Sequence, residues 1–411
     1  MVSVTASNEG VLMSLSILIS GAGIGGPSLA YWLGRLGHRV TVVEQSPVLR
    51  AGGGAAVDFR GDQMTLLERM GVLADIRSNA TGMGDQLVVD AASRTRTRFP
   101  SALFSGEVEI DRGDLARILY EHSATHADYV FGDRITAIDQ SSEDGVTVRF
   151  AHAGTRDYDL VVGADGLHSG VRQLVFGAEQ RFRRDLGYYV AAFSTPNTFG
   201  LDHRGLIYNE PGRYLSVASA RDRARAQVGF VFAAPPAELD RHDIEAQKRF
   251  IHRHYAETGW KAPELLAALA DATDLYLDSL SQIRLDRWSA GRVALLGDAA
   301  WCAGPGGNGT GHAMLGAYTL AGELAAADGD HRRAFARYEQ IMRPAVEKSQ
   351  RFATGAGAFL APATRWRIRR RDLTYRVLST SVMSGVFTWL SGRSAATGAL
   401  AEYPLPAALT R

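Results

Sequence analysis

Residues 15–44 read LSILISGAGIGGPSLAYWLGRLGHRVTVVE, and the fold follows from that stretch. Residues 15–20 are a short apolar run, 21–26 break it, 27–36 read as a helix, and 39–44 (RVTVVE) form a second strand, so the stretch is a βαβ unit. The break fits G-x-G-x-x-G, with Gly21, Gly23, Gly25 and Gly26 permitting a tight turn that lets backbone N–H groups and a helix N-terminus meet a pyrophosphate. Glu44 ends the second strand 18 residues past Gly26, where a carboxylate takes the adenosine ribose hydroxyls. The motif by itself fits FAD and NAD alike.

Outward from this unit, 411 residues leave room for two or three domains, or one large α/β body with a smaller second layer. Hydrophobic residues at 46% and charged residues at 22% exclude a disordered or fibrous chain. Lys and Arg total 45 against 44 Asp and Glu, so no global field draws nucleic acid or an anionic membrane, and a small-molecule partner is expected. Cys302 is the single cysteine; it excludes an internal disulfide and a cysteine-rich metal site, and it fits a cytoplasmic compartment. Residues 1–14 lack a secretory signal and are expected to be a disordered arm, and 377–392 are too short and too rich in Ser and Thr to span a bilayer. The glycines cluster at 21–26, 52–54 and 304–311, where the chain is expected to approach a ligand.

Along the chain, apolar spacing predicts a helix over 112–124, strands at 129–131, 135–138 and 146–150, and a buried run at 159–163. From 186 to 233 the texture becomes antiparallel strands, followed by helices near 240–256 and 262–270. Residues 293–296 (VALL) read as a buried strand returning to the first domain. Helices then follow at 312–327 and 331–350, with a last basic helix from Arg365. The fold class is α/β: a Rossmann-like FAD-binding domain (15–80, 103–180, 280–360), a second domain on an antiparallel sheet (81–102, 181–279), and a bridging C-terminal helix and tail (361–411).

Two further segments put an aspartate directly after an apolar strand. They are Gly163-Ala164-Asp165-Gly166, followed by Ser169, Val171 and Arg172, and Gly297-Asp298-Ala299-Ala300, followed by Pro305, Gly307, Asn308, Gly309, Thr310 and Gly311. With these three motifs in order, the chain resembles the single-component FAD-dependent aromatic hydroxylases of the para-hydroxybenzoate hydroxylase fold, and within them the tetracycline-modifying and polyketide-tailoring monooxygenases. The resemblance runs over 15–344. It implies that Asp298 binds the ribityl and pyrophosphate region of FAD, that Pro305, Gly307, Gly309, Thr310 and Gly311 lie along the isoalloxazine ring, and that Asp165 belongs to the cofactor site. It also implies that Arg112 reaches the FAD from the start of a helix, where a cation is otherwise unfavourable and a bound phosphate would explain it. Asp58 matches an aspartate near the flavin face and Arg213 an arginine approaching from the substrate sheet, both candidate catalytic residues; the alternatives are a turn residue and a solvated edge charge.

The sequence also departs from the family pattern. Trp301 stands where His is common, Gly311 where Asn is common, Gly316 where Asp is common, and Gln45 where a basic residue is frequent. His122 and His126 share a helix face but lack a third ligand, so no metal site is expected. His312 beside the flavin turn is either an acid–base group or filler.

The resemblance implies a monooxygenase in which NAD(P)H reduces FAD, O2 adds to give a flavin C4a-hydroperoxide, and one oxygen passes to an electron-rich carbon as hydroxyl, epoxide or Baeyer-Villiger insertion. A monomer or weak dimer is expected. An NAD-dependent dehydrogenase would leave the second and third motifs unexplained, and a flavin-fold escort protein would not need the Gly-rich turn. Tyr188, Tyr189, Phe193, Tyr208, Tyr214, Phe230 and Phe232 on the antiparallel strands alternate faces, so only part of the set can line a pocket; that aromatic wall is expected to suit a large, flat, mostly uncharged substrate.

Overall fold

Ser16–Ser20 forms β1, Gly25–Arg35 forms α1 and Arg39–Glu44 forms β2, the expected βαβ unit. The structure, a computed structural model, describes residues 14–49, 56–101, 106–306, 308–378 and 400–403. The expected arm at 1–14 falls outside these residues except for Ser14, as do the glycines at 52–54 and Gly307.

The chain continues through β3 (Val57–Phe59), α2 (Asp62–Met70), α3 (Leu73–Ser78), β4 (Gln86–Val89), β5 (Thr95–Phe99), β6 (Val108–Ile110) and α4 (Arg112–Ser123). Next come β7 (Asp128–Phe131), β8 (Ile135–Asp139), β9 (Val146–Phe150), β10 (Thr155–Tyr158), β11 (Leu160–Gly163) and α5 (Gly170–Phe176). The long strands β12 (Arg183–Pro196), β13 (Arg204–Glu210), β14 (Arg213–Ser219) and β15 (Arg225–Ala233) precede α6 (Ile244–Tyr255) and α7 (Ala262–Asp271). Last are β16 (Tyr276–Ile283), β17 (Ser289–Ala290), β18 (Val293–Leu295), α8 (Asp298–Trp301), α9 (Gly309–Ala326), α10 (His331–Ala353), α11 (Ala356–Leu360) and α12 (Arg365–Leu378).

Two sheets organise the molecule. One has six strands in the order β17-β18-β11-β1-β2-β7; β18, β11, β1, β2 and β7 run parallel, and the central strands β18, β11 and β1 are buried on both faces, as parallel strands require. The three motif strands β1, β11 and β18 are therefore neighbours, and the turns that follow them emerge at one edge. That edge is where open α/β sheets bind ligands.

The other sheet has seven strands in the order β16-β12-β15-β14-β13-β4-β5. Its two faces differ. Tyr189, Phe193, Leu215, Phe230 and Phe232 lie on the side covered by α6 and α7, in one core with Phe250, Tyr255 and Leu265. The opposite side carries Tyr188, Val190, Tyr214 and Val231 under Leu360 and Ala361, and further along the same strands Ala192, Ser194, Ser216 and Gly229, which are only partly buried. Most of the expected aromatic wall is thus helix-facing core. The part of that face left open is built of small residues: alternation sends Phe193 and Phe230 to the helix side, while Tyr188 and Tyr214 on the opposite side are packed under Leu360 and Ala361.

Trp301 and Gly316 fit each other. A Cβ at Gly316 would stand 3.0 Å from the Trp301 ring, which is itself buried beside Trp288 with centroids 4.4 Å apart. The two departures from the family pattern are one packing solution. Among the described residues no helix is long and apolar enough to cross a membrane.

Candidate functional site

The glycine turn is shaped by close approach. Gly21 has φ +105°, and a Cβ on Gly26 would stand 1.9 Å from the Gly21 carbonyl oxygen, so neither position tolerates a side chain. Gly23 is different: it is exposed and a Cβ there would meet nothing within 4 Å, leaving open space in front of the α1 N-terminus. The α1 N-cap Ile24 supplies no side-chain cap and the first turn holds no acid. Glu44 reaches back across this turn, accepting from the Ala22 and Ser46 N–H groups at 2.9 Å each.

The other motifs converge here. A Cβ on Gly21 would touch Ala164 O at 2.6 Å and the Cα of Asp165, so the loop after β11 packs onto the glycine turn. Cβ atoms built on Gly25 and Gly297 would lie 3.8 and 3.2 Å from Ala313, and one on Gly309 would lie 3.4 Å from Asp298 Oδ1, which joins the starts of α1, α8 and α9. Helix α9 also begins without a side-chain cap or an acid, from Asn308 in the left-handed conformation at φ +55°. Arg112 opens α4 and, among the described residues, makes no hydrogen bond or ion pair. Two helix N-termini with neither a side-chain cap nor an acid in the first turn, those of α1 and α9, and the Arg112 guanidinium form a donor set for an anionic cofactor with a pyrophosphate and an electron-accepting ring. The residues present therefore fit FAD.

Asp165 sits apart from that donor set in role. Its carboxylate accepts from Ser169 Oγ at 2.5 Å and from Val171 N at 3.1 Å, and burial raises its pKa. It fastens the turn into α5. Asp58 pairs with Arg60 at 2.8 Å on β3. Arg213 is not brought to the opening: it stands beside Phe232 on the strand face shared with Leu215, toward α6 and α7, and its charge faces Glu210 at 3.6 Å. The physical reason is again alternation, since the residue after the β13–β14 turn takes the helix side. Pro305, Gly309 and Thr310 border the opening, and Gly311 is buried behind it.

Two side chains not singled out in the sequence belong to this region. Gln63, buried in α2, lies directly on Gly311: a Cβ there would meet its amide nitrogen at 2.1 Å. A side-chain amide thus occupies the space beside a glycine where the family commonly places Asn. Tyr276 opens β16 opposite Ala192, on the open face, and the residue is 45% exposed. Crowding by protein raises its hydroxyl pKa, with Asp278 adding to the shift, Arg112 opposing it and Asp298 adding to it. Burial likewise pushes the Cys302 thiol up, with Asp298 adding to it. His312 is buried, with Nε2 2.6 Å from Ser349 Oγ and Nδ1 without a partner among the described residues; burial pushes its pKa down to about 4, which keeps the imidazole neutral and makes it a poor base.

Gly311→Asn should therefore displace Gln63 at a cost of ~1–3 kcal/mol. The expected result is a lower melting temperature and weaker FAD retention, both recovered when Gln63→Ala is added. A double variant no better than the single one would show that Gln63 is not the obstacle.

Residues 14–353 match the family described as FAD binding domain. An uncharacterized protein of Mycobacterium tuberculosis (strain ATCC 25618 / H37Rv), Rv1260, is 42% identical over 345 residues, spanning 82% of this chain and 91% of that one. A flavin-dependent monooxygenase from an unknown prokaryotic organism is 37% identical over 343 residues, spanning 82% and 88%. The crystal structure of tetracycline destructase Tet(55) superposes with a TM-score of 0.81 at 34% identity, covering 95% of this chain and 99% of the other.

Proposed function

This chain belongs to the FAD binding domain family of FAD-dependent monooxygenases, and from that premise we propose that it inserts one oxygen atom into a polycyclic, polyketide-like aromatic compound. The observation that carries the substrate class is the open face of the seven-stranded sheet. Ala192, Ser194, Ser216 and Gly229 keep that wall low, and Tyr276 stands at its end, so a broad, flat ligand has room where a small ring would be loosely held. The name of the superposing tetracycline destructase supports the same class.

Bound FAD would supply the redox chemistry, taking electrons from NAD(P)H and activating O2. The chain's part is holding and shielding. The turn at Gly21, Gly23, Gly25 and Gly26 with the α1 N-terminus would hold the pyrophosphate, Glu44 the adenosine ribose, and Arg112 and Asp298 the polar spine between. The N–H groups opening α9, at Gly309, Thr310 and Gly311, would face the ring edge and favour negative charge there. Pro305 would border the ring, and Asp165 would hold the loop behind it. We assign 15–80, 103–180 and 280–360 to the FAD domain, 81–102 and 181–279 to the substrate domain, and 361–411 to the bridging helix and tail. Helix α12 supports this division: Arg371 on it bonds the Phe359 and Leu360 carbonyls and Asn209 of β13, and its Tyr375 meets Phe99 of β5. The single cysteine supports a cytoplasmic location.

Oxidation of NADPH by the FAD-loaded protein, screened over tetracycline, polycyclic phenols and simple benzoates with product mass, tests this reading. Polycyclic compounds are expected to accelerate the oxidation and gain one oxygen. Efficient turnover of benzoates with no response to any polycyclic compound would overturn it.

A further inference from the structure

His168 lies in the loop between β11 and α5, four residues from Ala164, which the glycine turn touches. Its Nδ1 is 3.0 Å from Glu179 Oε1 and its Nε2 is 2.9 Å from Asp278 Oδ2, on β16 of the other sheet. A carboxylate accepts only, so both ring nitrogens must donate, and an imidazole that donates twice is a cation. The surroundings balance that charge. Glu179 also receives Arg172, which is fully buried, at 2.9 Å, and Arg183 reaches both Glu179 and Asp185. Three carboxylates, of Glu179, Asp278 and Asp185, thus face two guanidinium groups and the imidazole, and the cluster is neutral when His168 carries a proton. The remaining acid nearby, Asp165 in the same loop, is taken up by Ser169 and Val171.

The cluster ties together the parts that enclose the flavin site. Arg172 donates to the Ala299 carbonyl in α8 and to the Leu167 carbonyl, so the Asp165 loop and the Asp298 helix are joined through it. His168 adds the third member, the strand that begins at Tyr276.

We propose that His168 is a positioning residue, an imidazolium that clamps Asp278, and with it the Tyr276 end of β16, against the two motif loops that flank the cofactor. It acts through Asp278 and touches neither cofactor nor substrate. Burial works against the charge, but the hydrogen bonds that the ring donates to Asp278 and Glu179, together with their charges, outweigh it and raise the pKa of His168 above its free value. A group raised in this way contributes its full stabilisation below the free imidazole pKa and loses it as pH rises through the raised value. The clamp therefore holds fully below the free imidazole pKa and loosens as pH rises through the raised value. The inference rests on the flavin site proposed above but not on the substrate.

The test uses the FAD-loaded enzyme and two readouts, the rate of FAD release and amide hydrogen exchange of β16 corrected for intrinsic exchange. Between about pH 6 and about pH 9, wild type should release FAD up to about tenfold faster and β16 should lose protection. H168Q should behave at every pH as wild type does at the alkaline end. H168R, a cation that does not titrate in this range, should stay slow and flat. D278N, the second route to the same break, should copy H168Q should that variant fold poorly. Wild-type release and exchange that ignore pH, or an H168Q enzyme that keeps the wild-type profile, would overturn the proposal. Because exchange of β16 is read independently of flavin, loss of FAD binding and failure of the clamp are told apart.

Discussion

Gly26→Ala is expected to leave a protein that purifies without flavin and melts earlier. The added Cβ would stand 1.9 Å from the Gly21 carbonyl oxygen, far inside ordinary contact, and Gly21 is itself fixed at φ +105° against Ala164 and Asp165. Neither partner can retreat: the turn is held between β1 and the loop after β11, where Ala164 N donates to Ser20 O. Overpacking of this kind costs ~1–3 kcal/mol in stability, and the displaced turn no longer aims its N–H groups at one point. Gly23→Ala is the control. A Cβ there meets no protein atom within 4 Å, so this variant should melt as wild type does and yet bind FAD more weakly, since the methyl enters the space in front of α1. Flavin absorbance of the purified variants, with a thermal melt of the apoproteins, separates the two effects. A Gly23→Ala protein with unchanged FAD affinity would mean that the pyrophosphate does not lie there.

Asp298→Ala should weaken FAD much more than Asp165→Ala does. Asp298 stands at the start of α8 beside the start of α9, with its carboxylate toward the opening, whereas both oxygens of Asp165 are taken by Ser169 and Val171. Losing a buried hydrogen-bond partner costs ~1–3 kcal/mol, which is roughly five- to 150-fold in dissociation constant. For Asp165 the same loss falls on the turn into α5, so Asp165→Ala should show mainly as a lower melting temperature. Titration of FAD into both apoproteins and a melt of each decide the matter. Equal or reversed affinities would contradict the assignment.

The first domain was legible because its chemistry is local. A glycine that must sit at positive φ, a strand before it and an acid at the end of the next strand all lie within residues 15–44, and each motif aspartate follows its own apolar strand. What lay outside the sequence's reach depends on contacts between distant segments. Strand β16 reads YLDSLSQI, with Leu277, Leu280 and Ile283 three apart, and residues 279–283 are buried on both faces, so no alternation marks it as a strand. Tyr276 and Asp278 went unnoticed with it. Gln63 carries no local mark at all: its place on Gly311 appears only when α2 and α9 meet. Arg213 shows the opposite limit, a residue type that suited the resemblance but whose strand position turns it toward Glu210 and the helix side. The aromatic residues of 186–233 all lie on strands, yet the burial of Tyr189, Phe193, Phe230 and Phe232 under α6 and α7 can be read only from pairing register.

We propose that the three motif turns, Arg112 and the uncapped N-termini of α1 and α9 build one FAD site. Its most direct test is a titration of FAD into flavin-free protein, followed by anaerobic addition of NADPH while the visible spectrum is recorded. Saturation is expected at one FAD per chain, with bleaching of the bound flavin by NADPH. A protein that stays colourless through the titration, or that binds flavin which NADPH and NADH both leave oxidised, would contradict it.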